Sequence, residues 1–208
     1  MSDPDELKLY FDYKSPFAYL AMQPALDLPE RYALRLRPLP FLLRIKGRGE
    51  RSVYSEWKVR YSYLDARRWA NKRGGFAIKG PPKIYDSRPA LIGGLYALRE
   101  GGFREYSLAV FRGFFERTLE IDEPESIAAL LAAQGHDADA YRKYLEGEGA
   151  AALERCIDEG HEDQVFGVPI FVFRGELFWG YDRMPLLEER LREAGLERDA
   201  RVAVGGRA

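Results

Sequence analysis

Apolar and polar side chains alternate in two short segments near the start of the chain. Residues 7–13 and residues 33–38 both show the two-residue period of a β-strand. Between them the alternation stops at Ser15, a preferred helix N-cap, and Pro16, which suits the first position of a helix. We expect a helix to begin there and Pro24 to break or restart it. The chain therefore opens with a strand, a helix and a second strand.

The hydrophobic period in the middle of the chain is helical. It extends from Ser52 to about Asp163, and glycines, prolines or acidic residues separate its segments. The Gly-, Pro- and Lys-rich residues 74–86 form the longest irregular stretch, and such a loop is more often functional or mobile than a packing element. The expected helices, by residue number, run from 53 to the glycines at 74–75, from 89 to 99, from 103 to 118, from 123 onward, from 137 to 145 and from 150 to 159.

Short apolar strands return near the end of the chain. Pro169 opens one of them, at a place where no backbone donor is needed. Residues 170–179 are expected to form a β-hairpin with its turn at 174–176, and a helix over 184–194 follows. Residues 196–208 lack an apolar face, so we expect them to be frayed or disordered.

The order of these elements predicts the fold. A β-α-β unit, a helical block, a hairpin and a last helix form an α/β protein with a thioredoxin-like fold and an inserted helical domain. The thioredoxin-like domain is predicted in two halves, residues 1–50 and 164–208, with the inserted helical domain at 51–163. At 208 residues and 46% hydrophobic composition, the chain is long enough to bury a sizeable core.

Composition and charge exclude several kinds of protein. The 32 lysines and arginines nearly balance the 33 aspartates and glutamates, so no overall charge favours nucleic acid or an anionic membrane as a partner. The acidic N-terminus lacks the basic and apolar regions of a signal peptide, and the apolar runs are too short to span a bilayer. We therefore expect a soluble cytoplasmic protein. One cysteine, Cys156, and two histidines provide neither a disulfide, nor a Cys-x-x-Cys pair, nor a convincing zinc site.

Three segments match the motifs of a known family. They are Phe-Asp-Tyr-Lys-Ser-Pro-Phe-Ala-Tyr-Leu at 11–20, Val-Phe-Gly-Val-Pro at 165–169 and Gly-Glu-Leu-Phe-Trp-Gly-Tyr-Asp-Arg at 175–183. In this combination and order, the chain resembles the DsbA-like proteins, and within them the 2-hydroxychromene-2-carboxylate isomerases and kappa-class glutathione transferases. The resemblance implies glutathione as cofactor, a small aromatic or unsaturated carboxylate as substrate, and a possible homodimer.

Ser15 is the candidate catalytic residue. In the resembled family, a serine at this place hydrogen-bonds the sulfur of glutathione, and Pro16 and Phe17 belong to the same binding segment. A hydroxyl donor beside a helix N-terminus, where free N–H groups and the macrodipole favour negative charge, stabilises a bound thiolate over a thiol. The alternative is an ordinary N-cap serine whose oxygen satisfies a backbone N–H, and the two roles can coexist in part.

Two further segments are implied to bind glutathione. Val168 and Pro169 match the cis-proline loop of the family, whose backbone pairs with the extended peptide as an added strand. A plain proline at the start of a strand is the alternative. Tyr181 and Asp182 match the position that contacts the γ-glutamyl end, where an acid can pair with the α-ammonium. The alternative is that Asp182 caps the last helix, because aspartate is a preferred N-cap.

Candidate substrate contacts lie in the basic loop at 44–51 and in the helix that follows it. Arg48 offers a bidentate fork for a carboxylate, although charges in such a loop are more often simply solvated. Tyr54 and Trp57 belong to a set of helical aromatic residues that form either a wall for a flat substrate or part of the core. The resembled relatives commonly carry Asn and then Pro-Pro soon after the second strand, whereas here a Pro-Pro pair occurs only at 81–82.

The leading hypothesis is a glutathione-dependent isomerase or a kappa-like glutathione transferase. The resemblance implies that a thiolate held by Ser15 adds to a conjugated double bond, permits rotation about the resulting single bond and then leaves. A DsbA-like disulfide oxidoreductase is the first alternative, but it needs an attacking thiolate near Ser15 and the sequence has no cysteine there. The second alternative is a non-catalytic module that binds peptides or thiols along the Val-Pro loop.

Overall fold

A four-stranded mixed sheet lies at the centre of the structure, a computed structural model that describes residues 5–43 and 53–198. The strands follow the order β2-β1-β3-β4, with β1 parallel to β2 and antiparallel to β3, and with β3 and β4 joined as a hairpin. This arrangement confirms the predicted α/β, thioredoxin-like fold. The strand bounds are β1 Asp5–Phe11, β2 Leu34–Pro40, β3 Ile170–Phe173 and β4 Glu176–Trp179.

Apart from the short helix α2, which the sequence pattern does not predict, the helices lie where they are expected, to within a few residues at each end. Helix α1 follows β1, a short helix α2 precedes β2, and six helices connect β2 to β3 in the described residues. A single 3-10 turn, Tyr181–Arg183, leads into the last helix. The bounds are α1 Pro16–Leu26, α2 Leu28–Arg31, α3 Val53–Arg73, α4 Arg88–Glu100, α5 Phe103–Glu116, α6 Pro124–Ala133, α7 Ala138–Glu146, α8 Glu148–Glu162 and α9 Met184–Glu193.

The prediction that Pro24 breaks or restarts the first helix is wrong, because α1 continues through it to Leu26. Proline has no N–H, so the carbonyl oxygen of Leu20, four residues earlier, loses its usual helical donor. The Arg73 guanidinium, at the end of α3, donates a hydrogen bond to that oxygen instead. A side chain from another helix thereby replaces the missing backbone bond.

The segment after α9 is also more ordered than predicted as far as residue 198. The Ala33 N–H donates to the Leu196 carbonyl at 2.7 Å, and the Arg198 N–H donates to the Arg31 carbonyl at 2.8 Å. These bonds flank an isolated antiparallel bridge between Tyr32 and Glu197. Backbone pairing of this kind needs no apolar face, so the apolar pattern gives no sign of it. Residues 199–208 lie outside the described part of the chain.

Aromatic side chains join the sheet and α1 to the helical block. Tyr13, just after β1, donates or accepts a hydrogen bond at 2.9 Å with the Ser107 hydroxyl of α5, and its ring packs edge-on to Phe111 at 4.8 Å. Tyr19 of α1 stacks on Phe115 of α5 with ring centroids 5.3 Å apart. The buried hydrophobic residues thus form one continuous core. The division into a two-part domain and an insertion at 51–163 stays a prediction.

In the described ranges, no helix combines the length and apolar character needed to cross a membrane.

Candidate active site

The start of α1 and the segment before β3 meet through the Ser15 hydroxyl. Its Oγ donates a hydrogen bond to the Val168 carbonyl at 3.0 Å, and both residues are buried. The peptide bond between Val168 and Pro169 is cis. Residues 153 positions apart in the chain are therefore in direct contact at the carboxyl end of β1.

Ser15 is also the N-cap of α1. Its Oγ accepts a hydrogen bond from the Ala18 N–H at 3.2 Å, and Pro16 occupies the first turn. The hydroxyl has one hydrogen, and in the structure that hydrogen is directed to Val168. For Ser15 to donate to a ligand, the hydroxyl must rotate away from this carbonyl while its oxygen continues to cap the helix.

A buried carboxylate and a buried ammonium lie on the other side of Ser15. Asp12 accepts hydrogen bonds from the Lys14 N–H at 3.0 Å and the Leu43 N–H at 2.8 Å. The Lys14 ammonium donates to the Leu43 carbonyl at 2.9 Å and lies 3.5 Å from Asp12 Oδ2. Burial raises the pKa of the Asp12 carboxyl, and the Lys14 charge and these backbone donors oppose the rise only in part. The two side chains clamp both backbone polar groups of Leu43.

A cavity of about 980 Å³ opens beside these residues. Its walls include residues 14–17 at the start of α1, residues 166–169 before β3, the loop at 80–85 and several residues of α3. This volume is at the upper end of the ~300–1,000 Å³ that ligand sites typically span. It lies between the sheet and the helical block, with contributions from both.

Most of the glutathione-binding residues expected from the resemblance line this cavity, but Tyr181 does not. Ser15, Pro16, Phe17, Val168, Pro169 and Asp182 are all in its walls. The Tyr181 ring instead packs edge-on to Trp69 at 5.5 Å, with the Arg73 guanidinium 5.6 Å from its centre. At the start of the 3-10 turn, the Tyr181 side chain is therefore directed to α3 and away from the cavity.

Asp182 does not cap the last helix. The N-cap of α9 is Arg183, which makes no side-chain capping bond. The Asp182 carboxylate accepts a hydrogen bond from the Arg183 guanidinium at 2.7 Å at the cavity edge. The capping interpretation of Asp182 is therefore wrong, and Asp182 is one of the residues of the cavity wall.

The expected substrate contacts are brought together only in part. Trp57 is 58% exposed and lies neither in the cavity wall nor in the core, because its position on α3 directs the side chain to solvent. Two later aromatic residues of α3, Tyr61 and Tyr63, do line the cavity. The Tyr54 side chain and the whole of Arg48 lie outside the described residues.

Sequence reasoning missed an aromatic pair at the cavity rim. The rings of Phe166 and Trp179 pack edge-on with centroids 5.0 Å apart, and the Lys58 ammonium lies 5.8 Å from the Trp179 ring. Both rings are exposed, at 67% and 47%. Each residue lies in a matched motif, but the motif alone does not show that the two rings meet. The buried pair Asp12 and Lys14 was missed because the sequence does not reveal that these charged side chains are buried beside the cavity.

The loop at 80–85 also lines the cavity, and the expectation that this irregular stretch is functional stays a prediction. Lys83 lines the cavity and pairs with Asp122 at 2.8 Å. Within the described residues, no cluster of His, Cys, Asp and Glu side chains has the geometry to hold a metal ion.

Comparisons with known proteins agree with this geometry. Residues 6–192 match the family model of the DSBA-like thioredoxin domain. The chain is 34% identical to a 2-hydroxychromene-2-carboxylate isomerase of Pseudomonas putida over 88% of this chain and 92% of that protein.

Solved structures give the same result. A selenomethionine 2-hydroxychromene-2-carboxylate isomerase has a TM-score of 0.76 and 27% identity, covering 91% of this chain and 96% of that one. A probable DsbA oxidoreductase of Streptomyces coelicolor, at 18% identity, shares the fold with a TM-score of 0.76 over 94% and 92% of the two chains. The chain therefore belongs to the DsbA-like thioredoxin-domain family and, within it, to the group of the 2-hydroxychromene-2-carboxylate isomerases.

Proposed function

We propose that the protein is a glutathione-dependent isomerase of a small aromatic or unsaturated carboxylate such as a 2-hydroxychromene-2-carboxylate. The observation that carries the proposal is the position of Ser15, at the start of α1 in a cavity wall and in contact with Val168 of the cis-proline loop. The isomerases among its relatives support an enzyme of this type. A homodimer stays a prediction.

The residues in the cavity fit a thiol tripeptide. A hydroxyl at a helix N-terminus suits a thiolate, because the first N–H groups of a helix have no acceptor within it. The backbone of the Val168–Pro169 loop suits an extended peptide, which would pair with it as an added strand. The Asp182 carboxylate at the cavity edge suits an α-ammonium group, for which it would exchange its present partner Arg183.

When bound, glutathione supplies a thiolate that adds reversibly to a conjugated double bond of the substrate, so that rotation can occur before the thiolate leaves. The chain itself stabilises negative charge and holds the two molecules in place. Ser15 donates its hydroxyl hydrogen to the sulfur, and the N-terminus of α1 adds its dipole. Phe166 and Trp179 cover flat apolar surface at the rim and keep water from it.

Activity with and without glutathione tests the proposal. We expect 2-hydroxychromene-2-carboxylate to be isomerised only when glutathione is present, and Ser15→Ala to lower kcat by about 100-fold or more, as removal of one oxyanion-type donor does. Asp137→Ala is a matched control, because Asp137 caps α7 through the Asp139 and Ala140 N–H groups, far from the cavity residues. Like Ser15→Ala, it should lower the free energy of unfolding by roughly 1 kcal/mol through loss of a helix cap, but it should keep the activity. An isomerisation rate that is the same without glutathione, or in Ser15→Ala, contradicts the proposal.

The disulfide oxidoreductase alternative has less support. Burial raises the pKa of the Cys156 thiol to about 11, and this thiol lies on α8 outside the cavity wall. A thiol of that kind is largely protonated near neutral pH and a poor nucleophile. A non-catalytic module is the remaining alternative, and it predicts binding of extended peptides in calorimetry with no preference for glutathione.

A further inference from the structure

Lys14 places a positive charge in the wall of the cavity next to Ser15. Its side chain is 7% exposed, which makes it the buried member of the described lysines and arginines that line the cavity. Asp12, its acidic partner, is fully buried and does not line the cavity. Lys14 therefore contributes to the cavity wall, whereas its acidic partner does not.

The Asp12 carboxylate uses only part of the hydrogen-bonding capacity of the Lys14 ammonium. It also accepts hydrogen bonds from the backbone N–H groups of Lys14 and Leu43, at 3.0 and 2.8 Å, whereas the Lys14 ammonium is 3.5 Å from its nearer oxygen. The ammonium has three N–H donors, and its hydrogen bond of 2.9 Å goes to the Leu43 carbonyl. Donor capacity of the ammonium therefore remains for an anion.

The Ser15 hydroxyl alone is a weak source of charge stabilisation, because its one hydrogen is directed to Val168 and must be withdrawn from that bond first. We propose that the Lys14 ammonium is the cation that stabilises the thiolate of a tripeptide bound beside Ser15. An opposite charge within about 4–6 Å favours the ionised form of an acid. This inference rests on the proposed function and adds to it the group that sets the ionisation of the bound thiol.

Other charges around the cavity are more exposed or already paired. Lys83 pairs with Asp122 at 2.8 Å, and Arg183 pairs with Asp182 at 2.7 Å. Solvent weakens the effect of exposed charges, so they contribute less than a buried ammonium at the same distance. The described charged residues in the wall besides Lys14 are Glu56, Lys58 and Asp65 on α3, Lys83 in the loop, and Asp182 and Arg183 in the 3-10 turn.

Titration of the bound thiol tests the inference independently of catalysis. The ultraviolet absorbance of the thiolate is followed against pH in the complex of the full chain with glutathione. We expect Lys14→Met to raise the pKa of the bound thiol by about 1–2 units, which means roughly 10- to 100-fold less thiolate at a given pH below it. Lys14→Arg should keep the pKa of the unsubstituted protein within about half a unit, since it keeps the charge. Lys143→Met removes an exposed charge on α7 and should have no effect.

Lys14→Gln is a second variant for the case that Lys14→Met does not fold. Its amide can still donate to the Leu43 carbonyl, so that only the charge is lost. It should raise the thiol pKa as Lys14→Met does. An unchanged thiol pKa in either folded variant, with glutathione still bound in calorimetry, overturns the role of Lys14 and leaves the proposed function in place. Failure of the unsubstituted protein to bind glutathione overturns the proposed function and this inference together.

Discussion

At the scale of a single residue, Ser15 would couple the binding of a peptide at Val168 to the stabilisation of a sulfur. Its oxygen caps α1, and its hydrogen is donated to the Val168 carbonyl at 3.0 Å. Turning that hydrogen to a sulfur leaves the carbonyl without this donor, which costs ~1–3 kcal/mol if nothing replaces it. A peptide that pairs with the Val168 backbone would supply the replacement. Under the proposed function, binding of the peptide part of glutathione therefore favours the hydrogen bond of Ser15 to its sulfur.

A network of ion pairs far from Ser15 predicts how stability depends on pH. Burial raises the pKa values of Glu159 and Asp163, but hydrogen bonds from Arg37, Lys8 and Tyr10 outweigh it, so both pKa values are lowered. Between these lowered values and the ordinary ones, the unfolded chain binds more protons than the folded protein. The stabilisation is therefore present above about pH 5 and is lost as pH falls through the folded-state pKa values.

Urea unfolding at a series of pH values measures this effect. We expect the free energy of unfolding to fall on acidification below about pH 5, and to fall less steeply in Lys8→Met, which removes a partner of both carboxylates at 2.7 and 2.8 Å. Lys143→Met, an exposed substitution, should retain the slope of the unsubstituted protein. Equal slopes in Lys8→Met and the unsubstituted protein would contradict the assignment.

At the scale of elements, α1 depends on α3 for its continuity. The Arg73 guanidinium donates to the Leu20 carbonyl that Pro24 leaves without a helical donor. The same guanidinium packs over the Phe76 ring at 4.6 Å. Ser15 caps the other end of α1. The position of the candidate catalytic hydroxyl therefore depends on a helix in which Arg73 of α3 supplies a missing hydrogen bond.

A double-mutant cycle isolates this hydrogen bond. Arg73→Leu should lower the free energy of unfolding by ~1–3 kcal/mol, because it leaves a buried carbonyl without a donor. In a Pro24→Ala background, the alanine N–H can serve the Leu20 carbonyl, so the same substitution should cost less by about 1 kcal/mol. Contacts of Arg73 with rings are common to both backgrounds and cancel. An equal cost in both backgrounds would show that Arg73 does not act through this carbonyl.

The type and order of the elements were predictable because they depend on local periodicity and on helix caps. Ser15 and Pro16 start α1 as expected, and the two-residue period marks β1 and β2. The continuation past Pro24 and the pairing of residues 196–198 depend on partners far away in the sequence, which local patterns do not contain. For the same reason, local patterns do not show which aromatic residues of α3 line the cavity and which are exposed.

The candidate site was predictable only where a motif marks it. Ser15, Val168 and Asp182 were found in this way and line one cavity. Lys14 lies inside a matched motif, but its role depends on burial and on the backbone of Leu43, which no spacing rule reveals. Trp57 shows the opposite failure, because its chemistry suited a substrate wall and its helix position turned it outward.

At the scale of the whole molecule, the cavity is built jointly by the two parts of the chain. The sheet side supplies Ser15 and the Val168–Pro169 loop, and the helical block supplies residues of α3 and the loop at 80–85. The continuous core holds these walls together. Under the proposed function, the thiol would bind on the sheet side and the carboxylate substrate would face the helical block.

A crystal structure of the protein with glutathione tests the central claim most directly. We predict that the glutathione sulfur lies within hydrogen-bond distance of Ser15 Oγ, that its peptide pairs with the backbone of Val168, and that Asp182 contacts its α-ammonium. Glutathione bound elsewhere on the protein, or bound in the cavity with its sulfur out of reach of Ser15, would contradict the account.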